Sequence, residues 1–206
     1  MKLGRRLQAR DFARPCLDLA RALVGCTLVH RLPDGTRLAG RLVEVEAYCG
    51  DGSDPAAHSH RGPTRRNRTM FGPAGRLYAY RRYGIHVCVN VVCSPPGEGA
   101  AVLLRALEPV DGLERMARLR AGGTAVRTCD LARGPGRLTR AMAFGLEHDG
   151  ASLLRGPISL HAPTAAPPEI ESGPRVGISR ATGLPWRFYE AASPWVSPFR
   201  PGRRRR

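Results

Sequence analysis

The sequence predicts an α+β fold in one domain, built on a mainly antiparallel sheet. Three observations lead there. The chain has 206 residues, enough for one domain with a full core. Its strand-like and helix-like segments do not alternate as β-α-β units. Turn residues join neighbouring apolar runs, as they do between antiparallel strands. The sequence shows no internal repeat and no internal boundary, so residues 1–200 are expected to form the domain and residues 201–206 a disordered basic tail.

Each element follows from local pattern. Residues 1–10 are polar and basic and are expected to be loosely held. Over residues 11–24, Leu17, Ala20, Leu23 and Val24 recur at helical spacing, with Pro15 suited to a first turn. Residues 26–32 read as a strand, Pro33-Asp34-Gly35 as a turn, and a strand returns from near Arg37. On that strand Arg41, Val43, Val45 and Ala47 alternate with Leu42, Glu44, Glu46 and Tyr48, so two carboxylates and a tyrosine share a face. Residues 49–73 are rich in Gly, Asp, Pro and Arg, and a connection this long points to function. Residues 76–83 and 85–92 read as a hairpin turning near Tyr83-Gly84. Residues 101–107 are an apolar strand, and residues 109–120 a helix with Leu113, Met116, Ala117 and Arg120 on one side. Gly134-Pro135-Gly136 opens a short helix through about Ala143. Residues 156–174 read as a Pro-rich surface loop, Val176 as the start of a short strand, and residues 184–189 as an aromatic turn.

Charge narrows the function classes. The formal net charge is +16, from 33 Lys and Arg against 17 Asp and Glu, and Lys2 is the sole lysine. A GC-rich genome would explain arginine in place of lysine, but the excess of base over acid calls for a polyanionic partner. No apolar run is long enough to span a membrane, and the basic start has no apolar stretch behind it, so neither a signal peptide nor an Arg5-Arg6 export signal is expected. The six cysteines lack C-x-x-C spacing and are expected to be reduced, buried and structural in a cytoplasmic protein.

The chemistry gathers between Gly40 and Asn90. Acids and Tyr48 on one strand, three more of the five tyrosines at Tyr78, Tyr80 and Tyr83, and a basic loop suggest a site for a flat ring attached to a phosphate backbone. Glu44 and Glu46 are the candidate acids. With Asp51, Asp54, His58 and His60 they could also be imagined as ligands of a metal nuclease, although the spacing matches no common site. A non-enzymatic RNA-binding protein is a further alternative. Asn90 alternates out of phase with Val87, Val89 and Val91 and faces away from them, and Arg105 lies in an apolar strand where its charge needs a partner.

V-E-V-E-A-Y, A-A-H-S, R-N-R-x-M-F, L-Y-x-Y-x-x-Y-G, V-L-L-R-A-L-E-P, R-V-G-I and S-P-W-V-S occur in that order. The set resembles the alkyladenine (3-methyladenine) DNA glycosylases over nearly the whole chain. The resemblance implies a compact domain with a curved antiparallel sheet, flanking helices and a protruding hairpin, and a monomer that excises alkylated or deaminated purines from duplex DNA without metal or cofactor. It implies Glu46 as the catalytic glutamate, with Arg105 and the Val176 carbonyl beside its water. It further implies a base pocket of Tyr48, His58, Tyr80 and Asn90, with Tyr83 intercalated at the hairpin tip. Electron-rich rings would favour a cationic base. Arg65, Arg66, Arg68 and Arg137 are expected phosphate contacts. A helix-hairpin-helix glycosylase would share the function, but the strand-rich pattern argues against that fold.

One prediction needs only composition. Strand cleavage by a lyase step usually needs a lysine amine to form a Schiff base with the sugar. Lys2 is far in sequence from every pocket residue. Borohydride is therefore expected to trap no covalent complex with abasic DNA; a trapped complex would refute this.

Overall fold

The structure is a computed structural model and describes residues 2–121 and 126–199. Tight turns build its sheet. Strand β1 (Thr27–Arg31) runs through Pro33-Asp34-Gly35 into β2 (Arg37–Tyr48), closed by the Leu32 N–H donating to Thr36 O at 2.8 Å. Strands β3 (Leu77–Arg82) and β4 (His86–Cys93) form the second hairpin. At its tip Tyr83 takes φ 51° and Gly84 φ 74°, the paired left-handed conformations of a type I′ turn. Tyr83 has a Cβ, so that backbone is strained.

Strands β5 (Ala100–Asp111), β6 (Ile158–His161), β7 (Ile170–Gly173) and β8 (Arg187–Glu190) complete the sheet. The order is β3-β4-β5-β2-β1-β6, with β8 also on β2 and β7 on β8, and every pairing is antiparallel. The first half of β2 pairs with β1 and the second half with β8, so the sheet forks there and curls. Helices α1 (Ala9–Phe12), α2 (Cys16–Leu23), α3 (Leu113–Ala121) and α4 (Pro135–Ala141) flank it. Leu19, Leu23, Met116 and Leu138 from these helices join Leu42, Val45, Val89 and Leu104 in the main core. A second, smaller cluster holds Met70, Tyr78, Tyr80, Cys88 and Leu103, with Tyr48 packed against it.

Several expectations need correction. Residues 1–10 are not loose where described: Leu7 is buried, and Arg6 bridges to His161 and donates to Leu153 O and Ile158 O. The helix expected over residues 11–24 is two helices, because the residue before Pro15 is disfavoured in helical conformation and Pro15 starts α2. Strand β5 runs four residues past its expected end, carrying Pro109 opposite Gly40 beside a register shift, where a missing N–H is tolerated; helix α3 therefore starts after Gly112. The expected loop 156–174 contains β6 and β7, and the expected aromatic turn ends in β8. These strands have four residues each, too few for a period, and exist through pairing with β1 and β2. Val176 starts no strand; it lies in the β7–β8 connection. All six cysteines are free, but Cys49 and Cys129 are only half-buried. The expected basic tail lies outside the described residues, and no described helix is long and apolar enough to cross a membrane.

The alternation along β2 is also broken. The β2–β5 register runs Leu42↔Leu107, Glu44↔Ala106, Val45↔Leu104, so Val43 and Arg105 are each left without a partner. This double bulge turns Leu42 into the main core with Val45 and Ala47, away from the face where sequence alone puts it beside Glu44. It also brings the Arg105 guanidinium onto Glu44. Glu44 Oε1 accepts from Arg105 Nε at 3.0 Å, Arg187 Nε at 2.7 Å and Ser197 Oγ at 2.8 Å, and Oε2 accepts from Ser197 N at 2.8 Å. Strands β2, β5 and β8 and the 193–199 segment thus meet on one fully buried carboxylate.

Burial opposes the charge on Glu44, but Arg105, Arg187 and Ser197 outweigh it and hold the pKa below the ordinary glutamate value. The stabilisation is therefore complete above that value of 4.5 and is lost as pH falls through the folded pKa. Glu44→Gln leaves two buried guanidiniums short of a counter-charge. Urea unfolding is expected to show a loss of about 3–5 kcal/mol at neutral pH, with the gap between variant and wild type closing in acid. A gap that does not change with pH would show that the Glu44 charge is not what matters.

Candidate active site

Two and four residues beyond Glu44, β2 delivers Glu46 and Tyr48. Glu46 is fully buried. Its Oε2 accepts from Tyr48 Oη at 2.9 Å; its Oε1 accepts from the Val176 N–H at 2.6 Å and lies 3.3 Å from Arg105 Nη1. Burial, then Glu46 itself, raises the Tyr48 phenol far above its ordinary pKa, so Tyr48 stays a neutral donor. The predicted Arg105 is thus in place, bridging Glu44 and Glu46. Val176 is also at the site, where its N–H donates to Glu46 Oε1.

Arg175 sets that N–H, and the sequence reading passed over it. Its guanidinium clamps Asp54 through two bonds of 2.6 and 2.7 Å and donates to Ala47 O at 2.9 Å. It lies 4.6 Å from the Tyr48 ring centroid and 5.2 Å from that of Trp186. A fully buried ion pair so far apart in sequence leaves no local signal; the R-V-G-I motif was the one hint.

The aromatic set comes together beside Glu46. Tyr80 stacks on Tyr78 at 5.4 Å, and His58 meets Tyr80 edge-on at 4.5 Å. His58 Nδ1 pairs with Tyr78 Oη at 3.0 Å. His58 is exposed on its solvent side, yet desolvation by the surrounding groups, then the charges of Arg66 and Arg82, lower its pKa and favour the neutral imidazole. Asn67 staples the loop behind it, donating to His58 O and Gly62 O. Asn90 is buried and donates to Tyr78 O at 3.1 Å. Tyr48, His58, Tyr80 and Asn90 line one small cavity of about 40 Å³. That is room for about one water, so a purine enters only if the rim moves. Ala56, His58, Arg82 and Ile178 form this rim, lining both the cavity and a wide groove of about 1360 Å³.

The groove is electropositive. Eight arginines line it, Arg61, Arg120, Arg137 and Arg180 among them, and no carboxylate is among its lining residues. Burial, then repulsion by Arg137 and Arg140, lowers the Arg120 pKa. Of the four expected phosphate contacts, Arg137 lines the groove and pairs with Asp130. Arg65 and Arg68 are exposed on the long loop outside it. Arg66 instead walls the aromatic set, 5.9 Å from the Tyr80 centroid, and donates to Arg81 O. Tyr83 and Ile85 project from the hairpin tip, each 77% exposed. His86 packs against Gly136 at the start of α4, where an added Cβ would sit 3.2 Å from it.

The nuclease reading loses its ligands. Glu44 is saturated by arginines and Ser197, His58 is bound to Tyr78, and among the described residues no three His, Cys, Asp or Glu side chains converge.

Residues 10–194 match the family model described as methylpurine-DNA glycosylase (MPG). The chain belongs to that family. It is therefore a DNA glycosylase, an enzyme of base-excision repair. Similar curated proteins span nearly full length. One from Leifsonia xyli is 50% identical over 92% of this chain and 90% of its own. One from Methanoculleus marisnigri is 48% identical over 93% and 98%, and one from Granulibacter bethesdensis 51% over 93% and 87%. All three carry a provisional 3-methyladenine DNA glycosylase name.

Proposed function

We propose that this glycosylase binds damaged duplex DNA in its arginine-lined groove, extrudes an alkylated or deaminated purine into the aromatic cavity, and hydrolyses the N-glycosidic bond. The observation that carries the reading is Glu46, buried and bound by Tyr48, which lines the cavity, and by Val176 and Arg105, which line the groove. A carboxylate offers about four lone-pair sites. Val176 and Arg105 occupy those of Oε1, and Tyr48 takes one on Oε2, so the free site on Oε2 is the base. Water bonds to C1′ of the sugar and gives its proton to Oε2, the C1′–N bond breaks, and its electron pair leaves with the base. The negative carboxylate also faces the positive charge that develops on the sugar.

The remaining roles follow. Tyr48, His58 and Tyr80 stack on and hydrogen-bond the extruded base. Asn90 crowds the exocyclic amino group that guanine has and hypoxanthine lacks. Tyr83 fills the gap left in the helix, and Arg65, Arg66, Arg68 and Arg137 contact phosphates. The reading takes the enzyme to act as a monomer. The absence of a usable lysine supports a glycosylase without lyase activity, and the site of action would be chromosomal DNA in the cytoplasm.

Glu46→Gln keeps shape but cannot take a proton. It is expected to bind duplex carrying hypoxanthine or 3-methyladenine and to lose about 10²–10⁴-fold in single-turnover excision, read as alkali-labile abasic sites. Near-normal excision by Glu46→Gln would remove Glu46 from the chemistry. Tyr83→Ala is expected to slow excision from paired duplex more than from a mismatched or single-stranded context, because unstacking costs about a few kcal/mol only when the base is stacked. Equal losses in both contexts would make Tyr83 a purely structural turn residue.

A further inference from the structure

Arg82 ends β3 at the rim shared by groove and cavity. It is the sole arginine, lysine or carboxylate among the cavity's lining residues. Its guanidinium donates to Gly177 O and, at 3.2 Å, to Tyr83 Oη, and it lies 5.0 Å from the Tyr83 ring centroid. The nearby carboxylates are committed elsewhere: Glu44 and Glu46 to Arg105, and Asp54 to Arg175. Among the described residues no carboxylate lies within salt-bridge distance of Arg82. A half-buried cation therefore stands without a carboxylate counter-charge where the base must enter.

The ring faces show the same bias. The sequence suggested that electron-rich rings would draw in a cationic base. Arginines already sit over two of those rings, Arg175 over Tyr48 and Arg66 over Tyr80. Arg175 is paired with Asp54, and neither it nor Arg66 is among the cavity's lining residues. Arg82 is the one that faces the cavity without an acid.

We propose that Arg82 makes this glycosylase select neutral purine lesions, such as hypoxanthine and ethenoadenine, over cationic alkylpurines. The inference rests on the glycosylase reading above and names the substrate class of that same site. A guanidinium keeps its charge at every working pH, so a cationic purine at the rim meets a like charge that cannot titrate away. The interaction is only partly screened, because the site is half-buried. The N–H groups of Arg82 suit the O6 and N7 acceptors of a hypoxanthine edge, the pairing arginine makes with guanine in DNA grooves. Its field already reaches the pocket, since it contributes to the depressed pKa of His58.

The test uses the full chain and matched duplexes carrying hypoxanthine or 7-methylguanine, with excision divided by spontaneous depurination of the same duplex. In the wild type this enhancement is expected to be larger for hypoxanthine. Arg82→Met is expected to shift the ratio toward 7-methylguanine by about tenfold, whereas Arg82→Lys, which keeps the charge, should stay near the wild-type ratio. A larger wild-type enhancement for 7-methylguanine, parallel changes of both bases in Arg82→Met, or equal ratios in the Met and Lys variants would each overturn the proposal. If the wild type excises neither base, the glycosylase reading of the site fails instead, so the two failures are distinguishable.

Discussion

A carboxylate buried between two guanidiniums, at the point where two strands each carry one extra residue, is the constraint on which this molecule turns. Ion pairs of this kind are costly to desolvate, and apolar replacements are often no less stable. What the Glu44 contact fixes is position. Arg105 is pulled out of register to reach it, and the same guanidinium then lies against Glu46. Arg187 brings β8 onto the upper half of β2, where β1 has stopped pairing, and Ser197 closes the far side. One acid does the holding so that its neighbour two residues on can be held by fewer donors.

The preference for arginine acquires a structural meaning in this light. Arg175 binds a carboxylate with one edge, a carbonyl with the same nitrogen, and two aromatic rings with its planes. An ammonium has neither the fork nor the flat faces to do this. Composition that looks like genomic bias is used as joinery: Arg82, Arg105, Arg175 and Arg187 each join segments remote in sequence.

The sheet was legible wherever local chemistry decided. The hairpin turns at Gly35 and Gly84 and the helix at Gly134-Pro135-Gly136 carry their signals within a few residues. What local pattern missed was made by distant partners. Strands β6, β7 and β8 are too short to show alternation, and the bulge at Val43 is set by Arg105 across the sheet. At the site, Glu46, Tyr48, His58, Tyr80, Asn90 and Arg105 were nameable because motifs carried them, and the structure brings them together. Arg175 and Arg82 were not, because an arginine among so many arginines gives no sign that it is buried or that it looks into a cavity. The Val176 N–H was invisible for another reason: which backbone group a loop presents depends on the side chain that pins it.

The two clusters of buried residues lie on opposite faces of strands β2, β3, β4 and β5. Residues that pack the core therefore alternate with residues that shape the cavity, one position apart along the same strands. A change in Val89 or Val45 moves the backbone that carries Asn90 or Glu46. The strands can explore little without harming either stability or chemistry. The rim is freer, since Ala56, His58 and Ile178 come from connections and Arg82 from a strand end. Divergence in lesion range among descendants of this chain should accumulate there, around a cavity floor that hardly changes.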